Sequence, residues 1–113
     1  RGENISAHEI ETILAVNQRV GEVAAVPVPS ELGEEDVCVY VVRSDLSLLE
    51  REVVEYANAN MAYYMVPRYV KFVDELPKTP THKIAKHLLR ERAQDEYVAM
   101  WDREQHGIEV RRA

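Results

Sequence analysis

The chain has 113 residues, a formal net charge of -6, 46% hydrophobic and 30% charged residues, and one cysteine. That length fits a single domain with a modest core and is too short for a catalytic domain plus a substrate domain. The acidic balance argues against general nucleic-acid binding, the lone Cys38 excludes an internal disulfide and fits a reducing compartment such as the cytoplasm, and apolar runs of only strand length give no membrane span.

The chain opens Arg1-Gly2-Glu3-Asn4 without an initiator methionine and runs almost at once into a helix start, which reads as a cut inside a larger protein. Ser6-Ala7-His8-Glu9 has the spelling of a capping box, in which the Ser6 hydroxyl takes the third helical amide and Glu9 reaches back to the cap. Ile10, Ile13 and Leu14 give that helix one apolar face, and Gly21 is expected to stop it. Val23 to Val28 reads as a strand ending around Pro27, followed by a polar loop from Pro29 to Asp36 with Gly33 at its turn. Val37 to Val42 is a nearly unbroken run of branched and aromatic residues, the pattern of a central strand buried on both faces. Ser47-Leu48-Leu49-Glu50 is a second capping-box spelling; it predicts a helix that buries Leu49, Val53, Tyr56 and Ala57 and ends before Pro67. Tyr69 to Val73 reads as a third strand. From about Ala85 a third helix is expected to carry Leu88, Leu89, Ala93 and Val98 to the core, and the weakly patterned tail from Asp102 to Ala113 is expected to fray. The order predicts an α+β domain spanning residues 1–113, with a small, mostly antiparallel sheet of about three strands and helices packed on it.

Between the third strand and the third helix lies Leu76 to Arg90, LPKTPTHKIAKHLLR, which sets Lys83 in a loop just ahead of a helix. The segment from Arg68 to Arg90 holds Arg68, Lys71, Lys78, Lys83, Lys86 and Arg90 against Asp74 and Glu75, a net +4 in a chain of net -6. Such asymmetry points to a local footprint for a phosphate or carboxylate, with a solvated helix entrance as the plainer account. His8 and His87 lie near helix starts without cysteine or paired carboxylates at ligand spacing, so no metal site is expected. Tyr56, Tyr63, Tyr64 and Tyr69 adjoin core-forming segments and are read as packing residues.

Three segments in order carry a resemblance that covers the chain to about Arg92. Gly2 to Glu11 is similar to the glycine-led motif that follows an interdomain hinge. Val26 to Val42 resembles the segment written P-D-x-x-x-G-E before a valine-rich strand. Leu76 to Arg90 resembles L-P-K/R-T-x-S/T-G-K followed by a basic helix. Each motif is weak alone and strong in this succession. Together they resemble the C-terminal domain of adenylate-forming enzymes, the superfamily of acyl-CoA synthetases, peptide-synthetase adenylation domains and firefly luciferase.

The resemblance implies that the parent enzyme joins a small carboxylic acid to ATP, releasing pyrophosphate, and passes the acyl group to the thiol of coenzyme A. It implies a mobile lid that is inactive alone, with ATP, its magnesium and coenzyme A held mainly by the N-terminal domain of the same enzyme. Lys83 aligns with the adenylation lysine, with Lys78 and Lys86 as nearest competitors and Lys86 placed toward a phosphate at the rim. Gly2, Glu3 and Asn4 align with the loop that lines the thiol approach, where a residue lacking a side chain lets the pantetheine pass close to the backbone. Asn4 looks closer to ligases of small or polar acids, including the crotonobetaine/carnitine-CoA ligase type, than to peptide-synthetase domains. His82 departs from the family pattern, which has glycine there; histidine reaches φ > 0 only at a cost. A loop histidine at the surface is the expected role. Two other readings stand beside this one: a separate module that binds an anionic partner or carrier domain, and the lid of a peptide-synthetase adenylation domain.

Overall fold

The structure is a computed structural model that describes residues 6–31 and 33–110. Gly2, Glu3 and Asn4 lie outside the described residues, as do residues 111–113 of the tail. The first helix, α1 (Ala7–Ala15), starts where its cap predicts, with Ser6 Oγ accepting the Glu9 N–H at 3.2 Å. It buries Ile10 and Leu14 and half-buries Ile13. The stop comes earlier than Gly21: the Asn17 carboxamide accepts the Arg19 N–H and the Asn17 carbonyl accepts the Val20 N–H, both at 2.9 Å. The side-chain bond competes with helix continuation, as such bonds do.

Strand β1 (Val20–Pro29) therefore already contains Gly21, which sits at a register shift between Val20 and Glu22. A Cβ at Gly21 would lie 3.1 Å from the Val42 carbonyl oxygen, so the close approach of the two strands is what needs glycine there. β1 pairs antiparallel with β2 (Glu35–Arg43) through a turn in which Gly33 takes φ 79. Pro27 is accommodated because β1 is an edge strand that, among the described residues, hydrogen-bonds to β2 alone. Ala25, whose N–H is not used by that partner, donates it to the Glu11 carboxylate at 2.8 Å.

β2 is central, as its unbroken apolar run predicts. Val37, Val39 and Val41 enter one core with Ile10 and Leu14 and with Val53, Val54 and Ala57 of α2 (Glu50–Asn60), while Cys38 and Tyr40 enter the other with Leu89 and Ala93 of α3 (Lys86–Glu96). The period of two along a strand is what sends alternate residues to opposite faces. Two helices thus cover one face of the sheet and α3 the other.

The cap of α2 is not the expected one. Asp45 Oδ1 holds both the Ser47 N–H at 2.9 Å and the Ser47 hydroxyl at 2.7 Å, so Ser47 belongs to a turn, and Glu52 Oε1 accepts the Leu49 N–H at 2.9 Å instead. The shift moves Leu48 into the core, leaves Leu49 56% exposed, half-buries Tyr56 and buries Val54. Strand β3 (Tyr69–Phe72) lies parallel to β2, with α2 in the crossover. In α3 only Leu89 and Ala93, one turn apart, face the core; Leu88 is 41% exposed, and Val98, 72% exposed, falls in a single 3-10 turn after the helix. The segment expected as a fraying tail begins with a fourth strand, β4 (Trp101–Asp102), antiparallel to β3. The result is an α+β domain on a mixed sheet of order β1-β2-β3-β4. Among the described residues, no helix is long and apolar enough to cross a membrane.

Candidate functional site

The basic loop is a small hairpin built on two anchors. Leu76, 2% exposed, and Ala85, 3% exposed, are fixed in the core, and the Ala85 N–H donates to the Pro77 carbonyl at 2.8 Å. Lys78 and Ile84 form an antiparallel bridge, and the Thr79 N–H donates to the Lys83 carbonyl at 2.7 Å. Thr79-Pro80-Thr81-His82 then closes as a turn, with the His82 N–H donating to the Thr79 carbonyl at 2.9 Å and proline at the second position, where its fixed φ is favourable. The chain returns to register through His82, which takes φ 66. A turn followed by one left-handed residue is the standard three-residue hairpin loop, and that last position favours glycine. Here histidine fills it, the one non-glycine residue with positive φ among the described residues.

The strain gives a stability test on the 113-residue chain. A left-handed non-glycine residue costs about 1–2 kcal/mol, and glycine loses about 0.5–1 kcal/mol through its freer unfolded chain. His82→Gly should therefore stabilise by roughly 0.5 kcal/mol in urea unfolding, while His82→Val, β-branched and intolerant of that φ, should destabilise by about 1–2 kcal/mol. Valine as stable as histidine would mean that the loop does not hold this conformation.

The side chains sort themselves by partner. Lys78 Nζ pairs with Glu22 Oε2 at 3.1 Å and Lys71 Nζ with Glu96 Oε1 at 3.7 Å. Lys86 Nζ, in the first turn of α3, bonds to Glu11 Oε2, the same oxygen that accepts the Ala25 N–H. That bridge crosses the β1 edge and ties α3 to α1. Lys83 is exposed, and among the described residues no carboxylate pairs with it. The chain has four lysines, and three of them are neutralised within the fold.

Arg68, counted in the basic segment by sequence, belongs to the interior. Its Nε and Nη2 donate to the two oxygens of Asp102 at 3.0 Å each, and its Nη1 donates to Asp36 Oδ2 at 3.0 Å and Glu31 Oε2 at 3.1 Å. Asp102 above all holds the guanidinium pKa far above its ordinary value. The apparent +4 footprint thus shrinks to Lys83 with Arg90 nearby in sequence. Cys38 is buried beside Met100, and burial pushes its thiol up to about 12, the opposite of an activated nucleophile. Among the described residues, no three His, Cys, Asp or Glu are grouped to hold a metal ion.

Sequence reasoning singled out Lys83 but gave no weight to Thr79, whose carbonyl, amide and hydroxyl all serve the loop. The signal was present as a threonine three residues before the left-handed position, with proline between.

Residues 9–83 match the family model described as AMP-binding enzyme C-terminal domain. The chain is 47% identical over 93 residues to "Probable acyl-activating enzyme 5, peroxisomal" of Arabidopsis thaliana, covering 80% of this chain and 17% of that protein. Among solved structures, the fatty acyl CoA synthetase of Mycobacterium tuberculosis superposes with a TM-score of 0.77 at 35% identity, over 83% of this chain and 19% of that one. ATP-bound MatB from Rhodopseudomonas palustris gives 0.78 at 33% identity, over 85% of this chain and 19% of that one. The chain therefore spans about a sixth of the length of the curated relatives it matches, 17% for the Arabidopsis protein.

Proposed function

Since this chain belongs to the family of AMP-binding enzyme C-terminal domains, we propose that it works as the mobile C-terminal domain of an ATP-dependent acid–CoA ligase, with Lys83 as the adenylation lysine. The observation that carries this reading is an ammonium at the end of a closed hairpin with no carboxylate partner among the described residues, while the other three lysines are paired.

In the first half-reaction a carboxylate oxygen attacks the α-phosphorus of ATP and pyrophosphate leaves. Both reactants are anionic, and charge builds on the nonbridging oxygens as they meet, so a positioned cation lowers the barrier. A compact ammonium on a flexible stem suits delivery by a domain that arrives and leaves. In the second half-reaction the coenzyme A sulfur attacks the acyl carbonyl and AMP departs, with Gly2, Glu3 and Asn4 lining the thiol approach. ATP and coenzyme A are substrates bound mainly by the N-terminal domain, the partner of this one, and magnesium enters with ATP. The acid is small, and Asn4 favours the crotonobetaine/carnitine-CoA ligase type. A buried, free thiol suits a reducing compartment, which supports the cytoplasm.

The test is acid-dependent exchange of labelled pyrophosphate into ATP by the full-length protein that carries this domain, over a panel of short carboxylic acids. Exchange with at least one acid, and thioester only once coenzyme A is added, is the expected result. An absence of exchange and of thioester with every acid would sink the reading.

A further inference from the structure

We infer that Thr79 is a positioning residue for Lys83, acting through a hydroxyl that takes the place of its own carbonyl; the inference rests on the reading of Lys83 as the adenylation lysine. In the hairpin the Thr79 carbonyl is already occupied by the His82 N–H at 2.9 Å. The Lys83 N–H, next in line, would be left without an acceptor in the turn. It is met by Thr79 Oγ1 at 3.2 Å, while the Thr79 N–H closes the other side of the ring on the Lys83 carbonyl at 2.7 Å. Both backbone groups of Lys83 are thus held by one residue. Thr79 Oγ1 also shares a hydrogen bond with Thr81 Oγ1 at 3.1 Å, in which either hydroxyl can be the donor.

The clamp matters because the loop stores strain. His82 sits in the left-handed region next to Lys83, and a strained residue persists only while its surroundings over-determine it. Without the hydroxyl, His82 has an escape to negative φ, and the direction in which the Lys83 side chain leaves the backbone changes with it. The lysine stem is long and carries many rotamers, so its charge reaches one place reliably only if its Cα is fixed. Misplacement of a charged group by about 1 Å is enough to cost up to roughly a hundredfold in rate. Thr79 touches neither reactant in this scheme and is not a catalytic residue.

Thr79→Val keeps the branched shape and removes the hydroxyl, while Thr79→Ser keeps the hydroxyl and removes the methyl. In the full-length protein, Thr79→Val should lower the kcat of acid-dependent pyrophosphate exchange by about tenfold or more and leave the KM for ATP and for the acid within about twofold. Thr79→Ser should stay within about twofold of the parent in kcat. Thioester formation from a supplied acyl-adenylate should be unchanged in both, which also reports that the domain is folded. Full exchange in Thr79→Val, equal loss in valine and serine variants, or parallel loss of both half-reactions would overturn the role. Lys83→Ala run alongside separates the two ideas: loss in Lys83→Ala with full exchange in Thr79→Val removes Thr79 alone, and full exchange in Lys83→Ala removes the reading beneath it.

Discussion

Lys83→Ala in the full-length protein is expected to lower acid-dependent pyrophosphate exchange by roughly a hundred- to a thousandfold, while thioester formation from a supplied acyl-adenylate changes by no more than a few fold. The size follows from where the charge goes. Two unit charges about 4 Å apart interact by about 4 kcal/mol at the effective dielectric of a protein surface cleft, and no carboxylate of the described chain competes for this ammonium. Lys78 and Lys86 are already engaged with Glu22 and Glu11. Lys83→Arg should recover only part of the loss, because a planar fork reaches two acceptors with different geometry from a point charge. Equal damage to both half-reactions, or to neither, would sink the assignment of Lys83 to adenylation.

Much of this architecture was legible because its signals are local. The Ser6 cap and the two-sided run from Val37 to Val42 each state their structure within a few residues, and both appear as expected. Where reading failed, a competing local bond or a distant partner decided. Asp45 claimed Ser47 and moved the α2 cap by two residues, which exchanged Leu49 for Leu48 in the core. Asn17 ended α1 before Gly21 could, and freed Gly21 for a tight approach between strands. Leu88 and Leu89 are adjacent and about 100° apart on a helix, so only one can join Ala93 on the buried face.

The charged site was harder still. Glu22 and Lys78 are 56 residues apart and Glu11 and Lys86 are 75 apart, so no spacing rule could pair them. Sequence alone showed six basic residues; the fold pairs four of them and leaves Lys83 and Arg90. What sequence did carry was the order of motifs, and that order reached Lys83 without any knowledge of the pairs.

The second large effect belongs to Arg68. Arg68→Met in the 113-residue chain should destabilise it by about 3–5 kcal/mol, a large share of the ~5–15 kcal/mol typical of a domain. The Arg68 side chain is 9% exposed, Asp36 9% and Asp102 5%, so removing the guanidinium strips its hydrogen bonds from two buried carboxylates. It also cuts the link between β2, β3 and β4, because Asp36, Arg68 and Asp102 come from or adjoin one strand each. Arg68→Lys should keep the charge yet lose most of the stability, since an ammonium cannot make the two-pronged contact to Asp102 while holding Asp36 and Glu31. The pH dependence has a definite sign. Arg68 has its folded pKa raised above its ordinary value, first by the hydrogen bonds to Asp102, so its contribution is complete at neutral and acid pH and is lost only in strong alkali. Exposed Glu31 has its carboxyl held below the ordinary 4.5, first by the hydrogen bond from Arg68, so its contribution is complete above that value and fades as pH falls through the lowered one. Urea unfolding at pH 7 and again near pH 3 reads both: the parent should lose part of its margin on acidification, and Arg68→Met should start low and lack the share that Glu31 supplies. A midpoint for Arg68→Met equal to the parent at pH 7 would show that the buried guanidinium contributes nothing to holding the sheet.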